Sequence, residues 1–320
     1  MRIAWSAASV LVAGAVSAAC DAPEPRDMAP PYQAGTLEVA GADLYYQVVG
    51  TGRPLVVVHG GPGLDHSYLM PWLEPLAETY KLVLYDQRGV GGSTGALDTA
   101  SISMTRYLDD LDAVRERLVR RGRVTLLAHS WGAIPALLYA IRWPQRVDGL
   151  ILVGPVEPGQ RFAQELAAAQ AASRSPEDRA AIDSLVGTQA FQAGDPRAVS
   201  RVFFHAFRGT FADPAVADSG FEVRLHERTA RQGRIVARLL MTPLAGLDLW
   251  DVLPTLDVPV LLVHGTGDPT PMAMVHELRS ALPDARLVEI EGAGHFPFIE
   301  RPGEFFGAVD AFVREIDSTP

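Results

Sequence analysis

Short, unbroken apolar runs recur along this chain, separated by stretches in which apolar residues return every third or fourth position. The runs are Leu55–Val58, Leu82–Tyr85, Val124–Ala128, Leu150–Val153, Val260–Val263 and Leu287–Ile290. Continuous apolar character over so short a length suits strands buried on both faces. Leu108, Leu111, Val114 and Leu118 instead share one helical face, with Asp110, Arg115 and Glu116 opposite. Thr36–Val39 and Leu44–Val49, joined by Gly41-Ala42-Asp43, read as an antiparallel edge pair. This alternation predicts an α/β fold, a mostly parallel central sheet with helices on both faces.

The alternation stops between residues 155 and 242. That segment holds Ala-rich and Arg-rich helical stretches, with helix starts marked by Ser175-Pro176-Glu177-Asp178 and Asp195-Pro196. It follows one core strand and precedes the next, so it reads as a helical cap inserted between core parts at 35–154 and 243–320.

The N-terminus has a different character. Met1 and Arg2 precede an Ala-rich apolar run from Ile3 to Val16, then Ser17-Ala18-Ala19-Cys20. This is the layout of a secretory signal peptide over residues 1–19. The alternative, a transmembrane anchor, needs a longer run. Cys20 is the only cysteine; it sits where bacterial lipoproteins are cut and acylated, in a lipobox-like stretch with Ser17 where Leu is usual. An ordinary leader with an idle cysteine is the other reading. Residues 20–34, with Pro23, Pro25, Pro30 and Pro31, read as an extended tether. The expectation is an exported protein, lipid-anchored through Cys20 to a bacterial membrane, otherwise secreted or periplasmic.

Composition narrows the function. Of 320 residues, 48% are hydrophobic and 21% charged, as in folded chains, and the net charge of −10 disfavours nucleic acid as a partner. There is no HExxH, no cysteine pair and no dinucleotide glycine pattern after a strand, so no metal or cofactor is expected. The pattern selects no oligomeric state.

Chemistry concentrates where strands end. Val124–Ala128 runs into His129-Ser130-Trp131-Gly132, and a helical pattern follows from Ala133 to Ile141. A serine on a sharp strand-to-helix turn needs small residues two before and two after it, here Ala128 and Gly132. Serine also needs a base. His295 follows the last core strand in the loop Gly292-Ala293-Gly294-His295, over the sheet edge. His59 and His264 precede glycines and read as loop-shaping; His129 points elsewhere, and His66, His205, His226 and His276 suit surface or core roles. Asp268, in Gly267-Asp268-Pro269 after the strand at Val260, gives the order Ser…Asp…His; Glu157 is the rival acid. His59-Gly60-Gly61-Pro62-Gly63 supplies a flexible backbone from which the amide of Gly61 can pair with that of Trp131 as an oxyanion hole.

With these segments the chain resembles the prolyl iminopeptidases among the α/β hydrolases. The matching residues are His59-Gly60-Gly61-Pro62-Gly63, Asp86-Gln87-Arg88-Gly89 through Ser93, Ser130-Trp131-Gly132, Asp268 and Gly294-His295. The resemblance implies an α/β-hydrolase fold, a Ser130–Asp268–His295 triad and release of an N-terminal residue, often proline, from small or peptide substrates. It also implies acidic cap residues that read the free amino terminus. Glu222 and Glu227 are the nearest candidates, with surface ion pairing as their alternative. Asp86 and Arg88 are expected to shape their loop through an ion pair with each other. An esterase or lactonase with the same triad, and a surface-anchored binding module without catalysis, are the competing functions.

Overall fold

The computed structural model describes residues 32–119 and 122–318. The expected leader and Cys20 therefore lie outside the described residues. An eight-stranded sheet forms the centre, in the order β1-β2-β4-β3-β5-β6-β7-β8. Its strands are β1 (Tyr32–Val39), β2 (Ala42–Val49), β3 (Arg53–Val58), β4 (Tyr80–Tyr85), β5 (Val124–His129), β6 (Val147–Val153), β7 (Val260–Gly265) and β8 (Ala285–Ile290). β2 pairs antiparallel with both β1 and β4; every pairing from β4 through β8 is parallel.

The apolar runs are explained by this position. Side chains alternate between faces, so Leu55 and Val57 of β3 enter one core and Val56 and Val58 the other. All four are fully buried, each worth roughly 1.5–3 kcal/mol relative to exposure. One face is covered by α1 (Met104–Val114), α2 (Ala133–Arg142) and, after the cap, a helix at Met272–Ala281. The other is covered by the C-terminal helix Pro302–Ser318, by the segment around Leu69–Leu76 and by part of the cap.

The edge pair departs from expectation. β1 begins at Tyr32, so the last residues assigned to the tether, Tyr32–Ala34, pair with Val49–Gln47. Their side chains are exposed, and a solvated edge strand has no apolar alternation to betray it.

Between β6 and β7 the chain forms α3 (Ala163–Ser173), α4 (Pro176–Val186), α5 (Gln189–Gln192), α6 (Pro196–Arg208), α7 (Pro214–Asp218) and α8 (Glu227–Leu244). The predicted caps are made: Ser175 Oγ accepts from the Asp178 amide at 3.0 Å and Asp195 Oδ1 from that of Ala198 at 2.9 Å. α8 runs past the expected boundary at 242 and includes Pro243. α9 is the helix Met272–Ala281, α10 is Pro297–Glu300 and α11 is Pro302–Ser318. Among the described residues no helix is long and apolar enough to cross a membrane.

Candidate active site

Parallel strands end on one edge, and the segments that follow β3, β5, β6, β7 and β8 bring Gly61, Ser130, Gly154, Asp268 and His295 to it. Ser130 is, among the described residues, the one non-glycine with positive φ, at 56°. The left-handed region costs such a residue roughly 1–2 kcal/mol. The surroundings hold it there: a Cβ at Gly132 would lie 2.4 Å from the Val58 carbonyl oxygen, and one at Gly60 would lie 3.1 Å from Ser130 Cβ. Only glycine fits the backbone crossing at 132. Directly after Ser130 the chain turns through a 3-10 segment into α2, so the amides that open the helix gather at the serine.

His295 Nδ1 donates to Asp268 Oδ2 at 2.7 Å, and Asp268 Oδ1 accepts from the Thr270 amide at 2.8 Å. Burial raises the Asp268 carboxyl, but the charge and hydrogen bond of His295 outweigh it and hold the group at about 2. Burial likewise pushes His295 down, and Asp268 more than reverses this, leaving the imidazole above its ordinary value. With Nδ1 protonated, Nε2 is the nitrogen free to accept a proton. Ser130, Asp268 and His295 line one cavity of about 270 Å³. The hydroxyl–imidazole hydrogen bond is not formed in this structure; such bonds commonly tighten only around substrate.

Gly154, just past β6, makes the pair possible. A Cβ there would lie 3.0 Å from His295 Nδ1 and 3.2 Å from Asp268 Oδ2. Gly61 lines the triad cavity and also an adjoining one of about 340 Å³ that includes Trp131. Of the two candidate oxyanion donors, Trp131 follows Ser130 in the chain and Gly61 lines the cavity that Ser130 also lines.

A family model for the alpha/beta hydrolase fold matches residues 53–302. The chain belongs to that family. The proline iminopeptidase of Lactobacillus helveticus (strain DPC 4571) is 26% identical over 301 residues, 88% of this chain and 98% of the relative. That of Lactobacillus delbrueckii subsp. bulgaricus is 29% identical over 288 residues, 82% and 90% of the two chains. The crystal structure of the Mycobacterium smegmatis proline iminopeptidase superposes with a TM-score of 0.67 at 23% identity, covering 89% of this chain and 99% of that one. This chain is a proline iminopeptidase-like α/β hydrolase.

Several residues of this hydrolase do not stand where sequence reasoning put them. Glu222 is exposed and paired with Arg224 at 2.6 Å; Glu227 is exposed and paired with Arg231 at 2.5 Å. Neither lines the triad cavity; both serve surface ion pairs. Asp86 and Arg88 shape their loop, but not with each other. Asp86 accepts from His66 Nδ1 at 2.6 Å and from the Gly92 amide at 2.8 Å, while Arg88 forks onto Asp110 at 2.6 and 2.8 Å. Both charges are buried, and each takes a partner of its own; α1 presents Asp110 in the bidentate geometry a guanidinium prefers.

His264 belongs to β7 and not to a loop; its Nδ1 is buried without a hydrogen-bond partner, 3.9 Å from Asp268. His129 does point away from the cavity, donating from Nε2 to the His295 carbonyl at 2.9 Å and accepting from the Tyr68 hydroxyl at 2.8 Å. Burial first, and then the nearby His295 charge, lower it to about 3, so it braces the site as a neutral ring. Glu157, the rival acid, is buried, accepts from the Phe162 amide at 2.8 Å and lines the second cavity, away from the His295 ring.

Sequence reasoning missed Glu300. Its carboxylate accepts from the Gly294 amide and from the Ala212 amide, both at 2.7 Å, and the His295 amide donates to the Thr210 carbonyl at 2.8 Å. The loop carrying His295 is therefore clamped between α10 and the α6–α7 segment of the cap.

Proposed function

We propose that this α/β hydrolase is a serine aminopeptidase of the prolyl type acting through an acyl-enzyme. The observation that carries the reading is the 2.7 Å Asp268–His295 pair facing the same cavity as a serine at φ 56°. Ser130 Oγ attacks the carbonyl carbon of the first residue as His295 Nε2 takes its proton. The tetrahedral oxyanion is received by the amides of Gly61 and Trp131, each donor worth about 3–4 kcal/mol of barrier. The C–N bond breaks, the departing amine takes the proton from His295, and water, deprotonated by the same imidazole, releases the acyl group.

Proline as the released residue is supported by likeness to proline iminopeptidases over more than four-fifths of the chain. Glu157 takes over the part first assigned to Glu222 and Glu227. It is a buried carboxylate with no cationic partner among the described residues, bordering an apolar cavity that also includes Ile134, Val156, Leu166 and Leu244. An ammonium group there gains a charge-assisted hydrogen bond in a dry setting.

Proline p-nitroanilide is the test substrate. It is cleaved, its N-acetyl analogue is not, and a fluorophosphonate probe labels the wild type but not Ser130→Ala. Equal turnover of free and blocked anilides removes the exopeptidase claim. Rapid aryl-ester hydrolysis with no anilide turnover makes the enzyme an esterase.

A further inference from the structure

Arg174 stands out among the residues that meet at the triad cavity. The core contributes Ser130, Asp268 and His295, and the cap contributes Gln170, Ser173 and Arg174 among others. Arg174 Nε is sealed from solvent and has no hydrogen-bond partner. The side chain makes no ion pair among the described residues. The nearby carboxylate of Asp178 is already saturated by His205, Ser175 and Arg208 at 2.8, 2.8 and 3.3 Å. Asp268, the one carboxylate lining the cavity, is committed to His295 and the Thr270 amide. Arg174 therefore lines the reaction chamber with no counter-charge among the described residues.

The residue is also held in place. It connects α3 to α4, its carbonyl accepts from Arg179, and Ser175 caps the next helix. The end of α6 presses on it, since a Cβ at Gly209 would lie 3.3 Å from Arg174 Cα and 2.1 Å from the Ser173 oxygen. A fixed guanidinium fork suits a planar anion, above all a carboxylate. The two adjoining chambers, about 340 and 270 Å³, lie at the small-ligand end of binding sites. One holds an unpaired carboxylate, Glu157, and the other an unpaired cation, Arg174, with Ser130 lining the second.

We propose that Arg174 binds the free carboxylate of the leaving residue, making the enzyme selective for dipeptides with an uncharged-side-chain first residue and an unblocked C-terminus. This rests on the aminopeptidase reading. A dipeptide places an ammonium on one side of the scissile bond and a carboxylate on the other, matching the charges of the two chambers. Longer or amidated peptides lack the second charge at that distance.

The experiment compares kcat/KM for prolyl-alanine, prolyl-alaninamide and prolyl-alanyl-alanine. A charge-assisted hydrogen bond predicts a preference for the free dipeptide of roughly 10- to 100-fold over the amide. Arg174→Gln collapses that ratio towards one, through a rise in KM for the free acid, and Arg174→Lys keeps an intermediate ratio. Thermal melting of each variant confirms folding, and the wild-type comparison decides the matter even where a variant does not fold. Equal turnover of acid and amide by the wild type, or an unchanged ratio in Arg174→Gln, overturns the proposal alone. Absence of turnover on all three overturns the aminopeptidase reading together with it.

Discussion

Replacing Asp268 by asparagine exchanges one oxygen for an amino group, and the structure says which one. Asp268 Oδ1 accepts from the Thr270 amide at 2.8 Å while Oδ2 accepts from His295 Nδ1 at 2.7 Å. In Asp268→Asn the remaining oxygen stays with Thr270, because the flipped amide would set two donors against each other and forfeit about 1–3 kcal/mol. The NH2 then faces His295, whose Nδ1 must become an acceptor. The ring proton moves to Nε2, the nitrogen that should receive the serine proton. A base locked in that tautomer costs about 10⁴ in kcat, or about 5 kcal/mol of barrier. The assay is steady-state turnover of proline p-nitroanilide alongside the rate of fluorophosphonate labelling, with a melting curve to confirm folding. A kcat within tenfold of wild type would refute the reasoning, since His295 would then owe its tautomer to some other group.

Three further outcomes follow from the contacts around His295. Activity should rise with pH as His295 loses its proton, with a midpoint above 6.5, because Asp268 outweighs the burial that lowers the ring; a midpoint at or below 6.5 in kcat/KM contradicts this. The stability contribution has the opposite sign: for His295 it is present below 6.5 and lost as pH rises through the raised value. For Asp268 it is present above 3.8 and lost as pH falls through about 2; chemical denaturation across pH reads both limbs. Glu300→Ala strands the amides of Gly294 and Ala212 and should cost about 3 kcal/mol in urea unfolding while lowering kcat; an unaltered midpoint speaks against the clamp.

Much of the fold was legible because the sheet is buried on both faces, and such strands write themselves as continuous apolar runs. β3, β5 and β7 extend the predicted runs by only a residue or two. The elbow was legible too, since Gly132 and Ser130 answer to a steric demand that few residues satisfy. Partnerships across long sequence separations were not. Arg88 finds Asp110 and Asp86 finds His66, and nothing local distinguishes those partners from nearer charges. The cap acids misled for a related reason: a glutamate beside arginines looks alike in sequence whether it faces a cavity or solvent. Arg174 and Glu300 carried no local signal at all, because what marks them is a missing partner in one case and two distant backbone amides in the other.

The clamp on the histidine loop bears on how such an enzyme could be re-engineered. The inserted helices look like an interchangeable lid, yet Thr210 and Ala212 form part of the scaffolding that holds the loop of His295, the proposed base. A chimera that imports a foreign lid for a new substrate would forfeit turnover on every substrate alike unless the graft restored a carbonyl and an amide at those two points. Selectivity and reactivity are thus inherited together in this molecule, and drift in the lid is policed by the chemistry beneath it.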